Sequence, residues 1–78
     1  MALLRFFGPL RELTRTSHLE IEAQHVDDAI ATVVNLFGED VAKIMTRSRV
    51  WVNGEPSEGT RRLGPGDEVA ILPPVSGG

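Results

Sequence analysis

The chain has 78 residues, of which 41% are hydrophobic, and a net charge of −3. This length allows one domain with a single small core, and the apolar content is typical of a folded protein. The absence of cysteine excludes disulfides, cysteine-based zinc sites and thiol chemistry. No apolar stretch approaches the roughly 20 residues of a membrane span, and the first residues are too charged for a signal peptide. We therefore expect a cytoplasmic domain with no membrane contact.

The charged and titratable residues predict neither nucleic-acid binding nor side-chain catalysis. Seven arginines and one lysine are scattered along the sequence, whereas nucleic-acid binders usually have a concentrated basic face. His18 and His25 have no carboxylate at metal-ligand spacing, so we expect solvent-facing imidazoles rather than a metal site. No nucleophile with an adjacent base and no glycine-rich phosphate loop is visible. We expect no bound metal or cofactor.

The first part of the chain predicts an opening β-hairpin. Residues 3–7 (LLRFF) form a short apolar run of strand length. Residues 18–23 (HLEIEA) alternate between apolar and acidic, as a half-buried strand does. The segment between them contains turn residues, so the two strands should pair through a loop.

An amphipathic helix follows the hairpin. Its apolar stripe repeats at helical spacing and consists of Val26, Ala29, Ile30, Val33, Leu36 and Phe37. Asp27 and Asp28 favour the first turn, and Gly38 can adopt the left-handed conformation that ends a helix. Neither Gln24 nor His25, which precede the stripe, is a preferred cap residue.

The second half of the chain predicts a short helix and further strands. Residues 39–45 (EDVAKIM) are a candidate for another turn of helix. Residues 49–55 (RVWVNGE) indicate a strand that enters a tight turn, because Asn-Gly readily takes positive φ values. Pro65-Gly66 signals a turn before a last strand at residues 68–72.

These elements predict an α+β fold. A helix with one apolar stripe is best buried across one face of a sheet, here a twisted mixed sheet of four to five strands. This is a β-grasp, or ubiquitin-like, architecture. We expect it over residues 1–72, with residues 73–78 as an extended, flexible C-terminal tail.

Strand alternation predicts an exposed apolar patch on the side of the sheet away from the helix. Three strands each carry a charged residue that should face water: Arg5, Arg49 and Glu68. Phe7, Trp51 and Leu72 share that parity. The side chains expected to face the helix are Leu4, Phe6, Val50, Val52, Val69 and Ile71. An apolar outer patch usually marks a partner surface, although a covering loop or helix, or a bulge that shifts the parity, is the alternative.

Three stretches, FFGPLREL, VNGE and above all DEVAILPPVSGG, resemble the small subunit of molybdopterin synthase, within the family of ubiquitin-like sulfur carriers. The resemblance covers nearly the whole chain in length and element order. Ser76 stands where threonine is also common, and Ile71-Leu72 stand where some members have aromatic residues.

The resemblance implies that the terminal carboxylate of Gly78 is the reactive group. In this family an E1-like activating enzyme uses ATP to adenylate the last glycine. Sulfur from a donor persulfide, held by a desulfurase or rhodanese, then replaces AMP and leaves a thiocarboxylate. The tail is inserted into the large synthase subunit of a heterotetramer, where two such sulfurs become the dithiolene of molybdopterin. The large subunit supplies the catalytic side chains.

The composition of the tail suits this implied role. The two prolines cannot donate ladder hydrogen bonds, so the sheet should end there and the peptide project already extended. Glycines without Cβ atoms can pass through a narrow channel. The expected threading residues are Pro73, Pro74, Val75, Ser76 and Gly77. The expected docking contacts are Phe7, Arg11, Trp51 and Leu72, with a solvated loop position as the equal alternative for Arg11.

Two other functions are compatible with the same sequence. One is a sulfur carrier for thiamine, cysteine or tRNA thiolation. The other is a ubiquitin-like modifier or binding module, in which Gly78 forms an isopeptide bond or does not react. A terminal glycine permits both thiocarboxylate and isopeptide chemistry.

Overall fold

The structure is a computed structural model that describes residues 1–74. Its elements, in chain order, are β1 (Ala2–Phe6), α1 (Pro9–Thr14), β2 (His18–Ile21), α2 (Val26–Phe37), α3 (Glu39–Met45), β3 (Arg49–Val52), β4 (Glu55–Pro56) and β5 (Glu68–Leu72). The strands form one five-stranded sheet in the order β2-β1-β5-β3-β4. The predicted β-grasp fold is confirmed.

The sheet is mixed because the neighbouring strands β1 and β5 run parallel, whereas the other three pairs are antiparallel. Leu4 lies opposite Val69 on β5, and Val69 in turn lies opposite Val52 on β3. All three side chains are fully buried. The inner face of the sheet is therefore a continuous apolar layer, as the alternation predicted.

The helices close the core over this inner face. The buried cluster combines strand residues with Leu10 of α1, Val26, Ala29 and Val33 of α2, and Val41 and Met45 of α3. The rings of Phe6 and Phe37 meet edge to face, with their centroids 6.3 Å apart. Such a pair contributes about 0.5–1.5 kcal/mol beyond its burial. No helix in residues 1–74 is both long and apolar enough to cross a bilayer.

The predicted opening hairpin is wrong in its connection. β1 and β2 do pair antiparallel, but helix α1 lies between them. Gly8 has φ 54° and ψ −131°, and the Leu10 amide donates to the Phe7 carbonyl at 3.2 Å. These values describe a type II′ turn, in which glycine takes the first central position. Pro9 then starts the helix with a suitable φ, and the fully buried Leu10 anchors it.

Helix α2 begins and ends where the periodicity predicted. Its first residue follows His25, whose amide donates to the Asp28 carboxylate at 3.1 Å, so a residue that is not a preferred cap still has its backbone donor satisfied. Gly38 ends the helix with φ 90°. The assignment of Leu36 to the apolar stripe is wrong, because its side chain is 60% exposed. Leu36 lies at the edge of the apolar stripe, and Val33 lies nearer its centre.

The predicted Asn-Gly turn is confirmed between β3 and β4, with φ 51° at Asn53 and φ 83° at Gly54. The Asn53 side chain also holds the start of β5: its amide donates to the Asp67 carboxylate, and its carbonyl accepts from the Glu68 amide, both at 3.0 Å. The Gly64 amide donates to Asp67 at 2.7 Å. These hydrogen bonds, first from Gly64 and then from Asn53, lower the pKa of Asp67 because they stabilise its carboxylate form.

Candidate functional site

Strands β3 and β5 present their outward side chains next to one another. Trp51 pairs with Ala70, and Arg49 pairs with Leu72. Because alternate residues of a strand point to the same side, Trp51 and Leu72 share one face as diagonal neighbours. Val52 points the other way and is fully buried in the core. Trp51 and Leu72 therefore lie on the outer face of the sheet, away from the helices.

Phe7 extends this face at the end of β1. Phe6 lies opposite Ile71 in the parallel register, so Phe7 follows at the level of Leu72. Phe6 is 1% exposed and Phe7 is 40% exposed. The predicted exposure of Phe7 is confirmed, whereas Trp51 and Leu72 are half-buried. We call Phe7, Trp51 and Leu72 the outer patch.

A charged pair borders the outer patch on the same face. Arg5 Nε donates to Glu68 Oε1 at 2.6 Å, and both side chains remain nearly half exposed. Such an exposed pair adds little stability. It does place two charges, one on β1 and one on β5, beside the apolar surface of the outer patch.

The last strand ends where the prolines begin. β5 stops at Leu72, as predicted. Pro73 is half-buried beside Gly8, where an added Cβ would lie 3.9 Å from the Pro73 ring. Pro74 is exposed. Pro73 therefore follows the end of β5 close to Phe7 and Leu72. The predictions for the next four residues lie outside the described part of the chain: Val75, Ser76, Gly77 and Gly78.

Arg11 lies on α1 rather than on the sheet. It is exposed and lines, with Gly8, Pro9 and Glu12, an open depression of about 410 Å³. The structure thus brings Phe7, Trp51 and Leu72 onto one face and leaves Arg11 on a neighbouring element. Its predicted role as a docking contact stays a prediction.

The two histidines lie in separate parts of the described structure. Within residues 1–74 no three histidine, aspartate or glutamate side chains lie close enough together to hold a metal ion. His18 lies on β2 opposite Arg5, and His25 precedes α2, where its ring nitrogen is 3.3 Å from Asp28. The described residues form the outer patch, and Pro73 follows at its edge.

One surface near the tail was missed by the sequence analysis. Lys43 and Arg47 line a groove with Pro73 and Pro74. A signal was present in the sequence, because the two cations are only four residues apart, at and just after the end of the predicted short helix. Without the strand order, however, nothing placed them beside the end of β5.

Comparison with known proteins agrees with this architecture. The model of the ThiS family matches residues 4–78. SAMP1 from Haloferax volcanii is 26% identical, with a TM-score of 0.75 over 99% of this chain and 98% of that chain. A chain of the BexX/CysO complex from Amycolatopsis orientalis is 25% identical, with a TM-score of 0.81 over 100% of both chains.

A third solved structure shows the same fold. A chain in the complex of subunits 1 and 2 of molybdopterin-converting factor from Helicobacter pylori 26695 is 24% identical, with a TM-score of 0.74 over 99% of this chain and 97% of that chain. No curated protein sequence matches the chain. Because the family model matches nearly every residue, the chain belongs to the ThiS family of ubiquitin-like sulfur carriers.

Proposed function

We propose that this chain carries sulfur for molybdenum cofactor synthesis, with the carboxylate of Gly78 as the group that receives and delivers the sulfur. The observation that carries the proposal is the position of the tail: Pro73 leaves the sheet at the edge of the outer patch. A partner that docks on the patch can therefore receive the tail. The family match, which extends to residue 78, and the resemblance of PPVSGG to the small synthase subunit support the same role.

The chemistry requires activation before sulfur transfer. A carboxylate is a poor electrophile, so an activating enzyme joins Gly78 to AMP and releases pyrophosphate from ATP. A donor persulfide attacks the acyl carbonyl and AMP leaves. A second donor thiol then reduces the resulting disulfide bond, which leaves a thiocarboxylate on Gly78. This chain has no cysteine that could capture the sulfur instead.

The folded domain, residues 1–72, docks on the partner and directs the tail toward it. Pro73 and Pro74 have restricted φ angles, so less conformational entropy is lost when the tail enters a partner. The outer patch supplies apolar contact next to the point of entry. Delivery to the large subunit of molybdopterin synthase, and there to the pterin precursor, completes the proposed role.

A modifier function is the second candidate. It is favoured by the 26% identity to SAMP1, whose name in full is small archaeal modifier protein 1. A modifier would form an isopeptide bond between Gly78 and a lysine amine. Carriers for thiamine, cysteine or tRNA thiolation share the activation step and differ in the recipient.

Mass spectrometry separates a carrier from a modifier. The chain is incubated with ATP, the activating enzyme and a persulfide donor. We expect a mass increase equal to the exchange of one oxygen for one sulfur, located at Gly78. Conjugates to lysines without that exchange would contradict the carrier role. A chain without Gly78 serves as the negative control, and a chain without Met1 is the control for loss of one residue elsewhere.

Reconstitution tests the recipient. The thiocarboxylated chain is mixed with the large synthase subunit and the pterin precursor, and molybdopterin is measured. Leu72→Glu should weaken binding of the large subunit by about tenfold or more, since an unpaired carboxylate buried in an apolar contact costs more than about 1.4 kcal/mol. Leu36→Glu is the matched control, because Leu36 is an exposed leucine on α2. Thiocarboxylation without molybdopterin formation would point to another pathway.

A further inference from the structure

A groove runs beside the start of the tail, on the side next to helix α3. Its volume is about 400 Å³. Pro73 and Pro74 form one side, and Pro9, which follows Gly8 in the turn after Phe7, also lines it. Along the chain, the groove residues Pro9 and Pro73 therefore lie within two residues of Phe7 and Leu72. Ile44 adds a half-buried apolar side chain to its wall.

The groove is cationic in a protein that is negative overall. Lys43 and Arg47 line it, and no acidic residue in the described part of the chain does. Neither cation forms an ion pair with a carboxylate of residues 1–74, where Arg5 pairs with Glu68. Both cations are exposed, so they are accessible to a partner.

The placement of the two cations follows from the end of α3. Lys43 is in the last turn of the helix, and the Arg47 amide donates to the Ile44 carbonyl at 3.1 Å, which continues the helical turn. Cations near a helix C-terminus are favoured by the helix dipole. Lys43 at the end of α3 and Arg47 in the turn that follows therefore both line the groove.

We infer that this groove binds an acidic segment of the protein that receives the tail, with its carboxylates on Lys43 and Arg47 and an apolar side chain against Ile44 and the prolines. The inference rests on the proposed function, because it assumes that a partner takes up the tail. Charge complementarity selects the occupant: two cations with no ion-pair partner in residues 1–74, beside apolar side chains, match a segment that carries both carboxylates and an apolar residue. The groove then sets the direction in which the tail leaves the body.

A zero-length cross-link tests the contact directly. A carbodiimide joins an amine to a carboxylate only where the two are in contact, and Lys43 is the only lysine in the sequence. The full chain is cross-linked to the large synthase subunit, and separately to the activating enzyme, and linked peptides are identified by mass spectrometry. We expect Lys43 to be joined to an aspartate or glutamate of each protein that accepts the tail.

Two variants that keep the net charge serve as controls. Lys43→Arg removes the amine and should abolish the cross-link while binding is unchanged. Arg62→Lys places an amine in the loop before β5, opposite His25 and at the other end of the strand from the tail. The amine at position 62 should form no cross-link to the partner. Equal cross-linking from position 62, or none from Lys43 in a complex that forms, would overturn the inference.

Affinity gives an independent measurement. Lys43→Gln with Arg47→Gln should weaken binding about three- to tenfold at low salt, and the difference should shrink as salt screens the charges. Arg61→Gln with Arg62→Gln removes the same charge elsewhere and should have little effect. Equal weakening by both double variants would show a general effect of charge rather than a contact in the groove. That result would refute the inference. If the chain is thiocarboxylated but does not bind the large subunit, the proposed pathway is wrong. The groove is then tested by the same measurements on the complex with the activating enzyme.

Discussion

Phe6 and Phe7 are adjacent in sequence and lie on opposite faces of the sheet, so replacing each with alanine should have opposite effects on stability and binding. Phe6 is 1% exposed and packs edge to face against Phe37. Truncating a buried phenylalanine costs about 3–5 kcal/mol, which includes the cavity that it leaves. Phe7 is 40% exposed, so its truncation should cost about 1 kcal/mol or less, since most surface substitutions have small effects.

These values are large relative to the stability of the whole domain. A chain of 78 residues is expected to have a free energy of unfolding of about 4–12 kcal/mol. In a domain of this size each kcal/mol lowers Tm by about 4–8 °C, so Phe6→Ala should lower it by at least about 12 °C. Phe6→Leu, which keeps most of the volume, gives a milder loss that can be measured if the alanine variant does not fold.

Urea and thermal unfolding followed by circular dichroism measure the first effect, and titration of the large synthase subunit measures the second. We expect Phe7→Ala to unfold close to the unmodified chain and to bind the large subunit more weakly. Phe6→Leu should show the reverse. A Phe7→Ala chain that loses as much stability as Phe6→Ala would refute the assignment of Phe7 to the outer face. Unchanged binding by a folded Phe7→Ala chain would remove Phe7 from the docking surface.

Three further predictions concern the turns that hold the sheet. Gly54→Ala should lower the free energy of unfolding by about 1–2 kcal/mol, because φ is 83° there. No atom lies near the added Cβ, so the loss comes from backbone strain alone. An unchanged urea midpoint would contradict this. Gly8→Ala should cost about 1–3 kcal/mol, because its φ and ψ suit only glycine, and thermal unfolding measures the loss. The pKa of Asp67 is lowered in the folded chain, so its stabilisation is complete above the unfolded pKa of about 3.9 and is lost as pH falls through the lower folded pKa. Asp67→Asn should therefore show a smaller drop in urea midpoint below about pH 4 than the unmodified chain, and equal drops would exclude the effect.

The parts of the fold that were predictable are those with a strong local signal. Helix α2 spans 12 residues, long enough for its apolar period to show, and Gly38 marks its end. The Asn-Gly turn and strand β5 have equally clear local signals. Strand parity correctly placed Phe7 outside because Arg5 and Glu68 are charged and point to the same side.

The parts that were not predictable depend on few residues or on distant contacts. Helix α1 has only six residues, too few for a helical period, and is held by the burial of Leu10 in a core that the local sequence does not reveal. Leu36 is apolar and exposed because packing of α2, rather than its composition, decides which side is covered. The cationic groove required the end of β5 to be placed beside α3, which is a contact between segments about 30 residues apart.

The central position of β5 links completion of the fold to the order of synthesis. β5 is the last strand of the chain, yet it lies between β1 and β3 and pairs with both. Until residues 68–72 have left the ribosome, no sheet can join the β1–β2 pair to the β3–β4 pair. Isolated pairs of strands are marginally stable at best. The same strand carries Leu72 and leads into the tail. A nascent or truncated chain that lacks β5 therefore loses its sheet and its outer patch together, so a partner that binds the patch would also select for the folded chain.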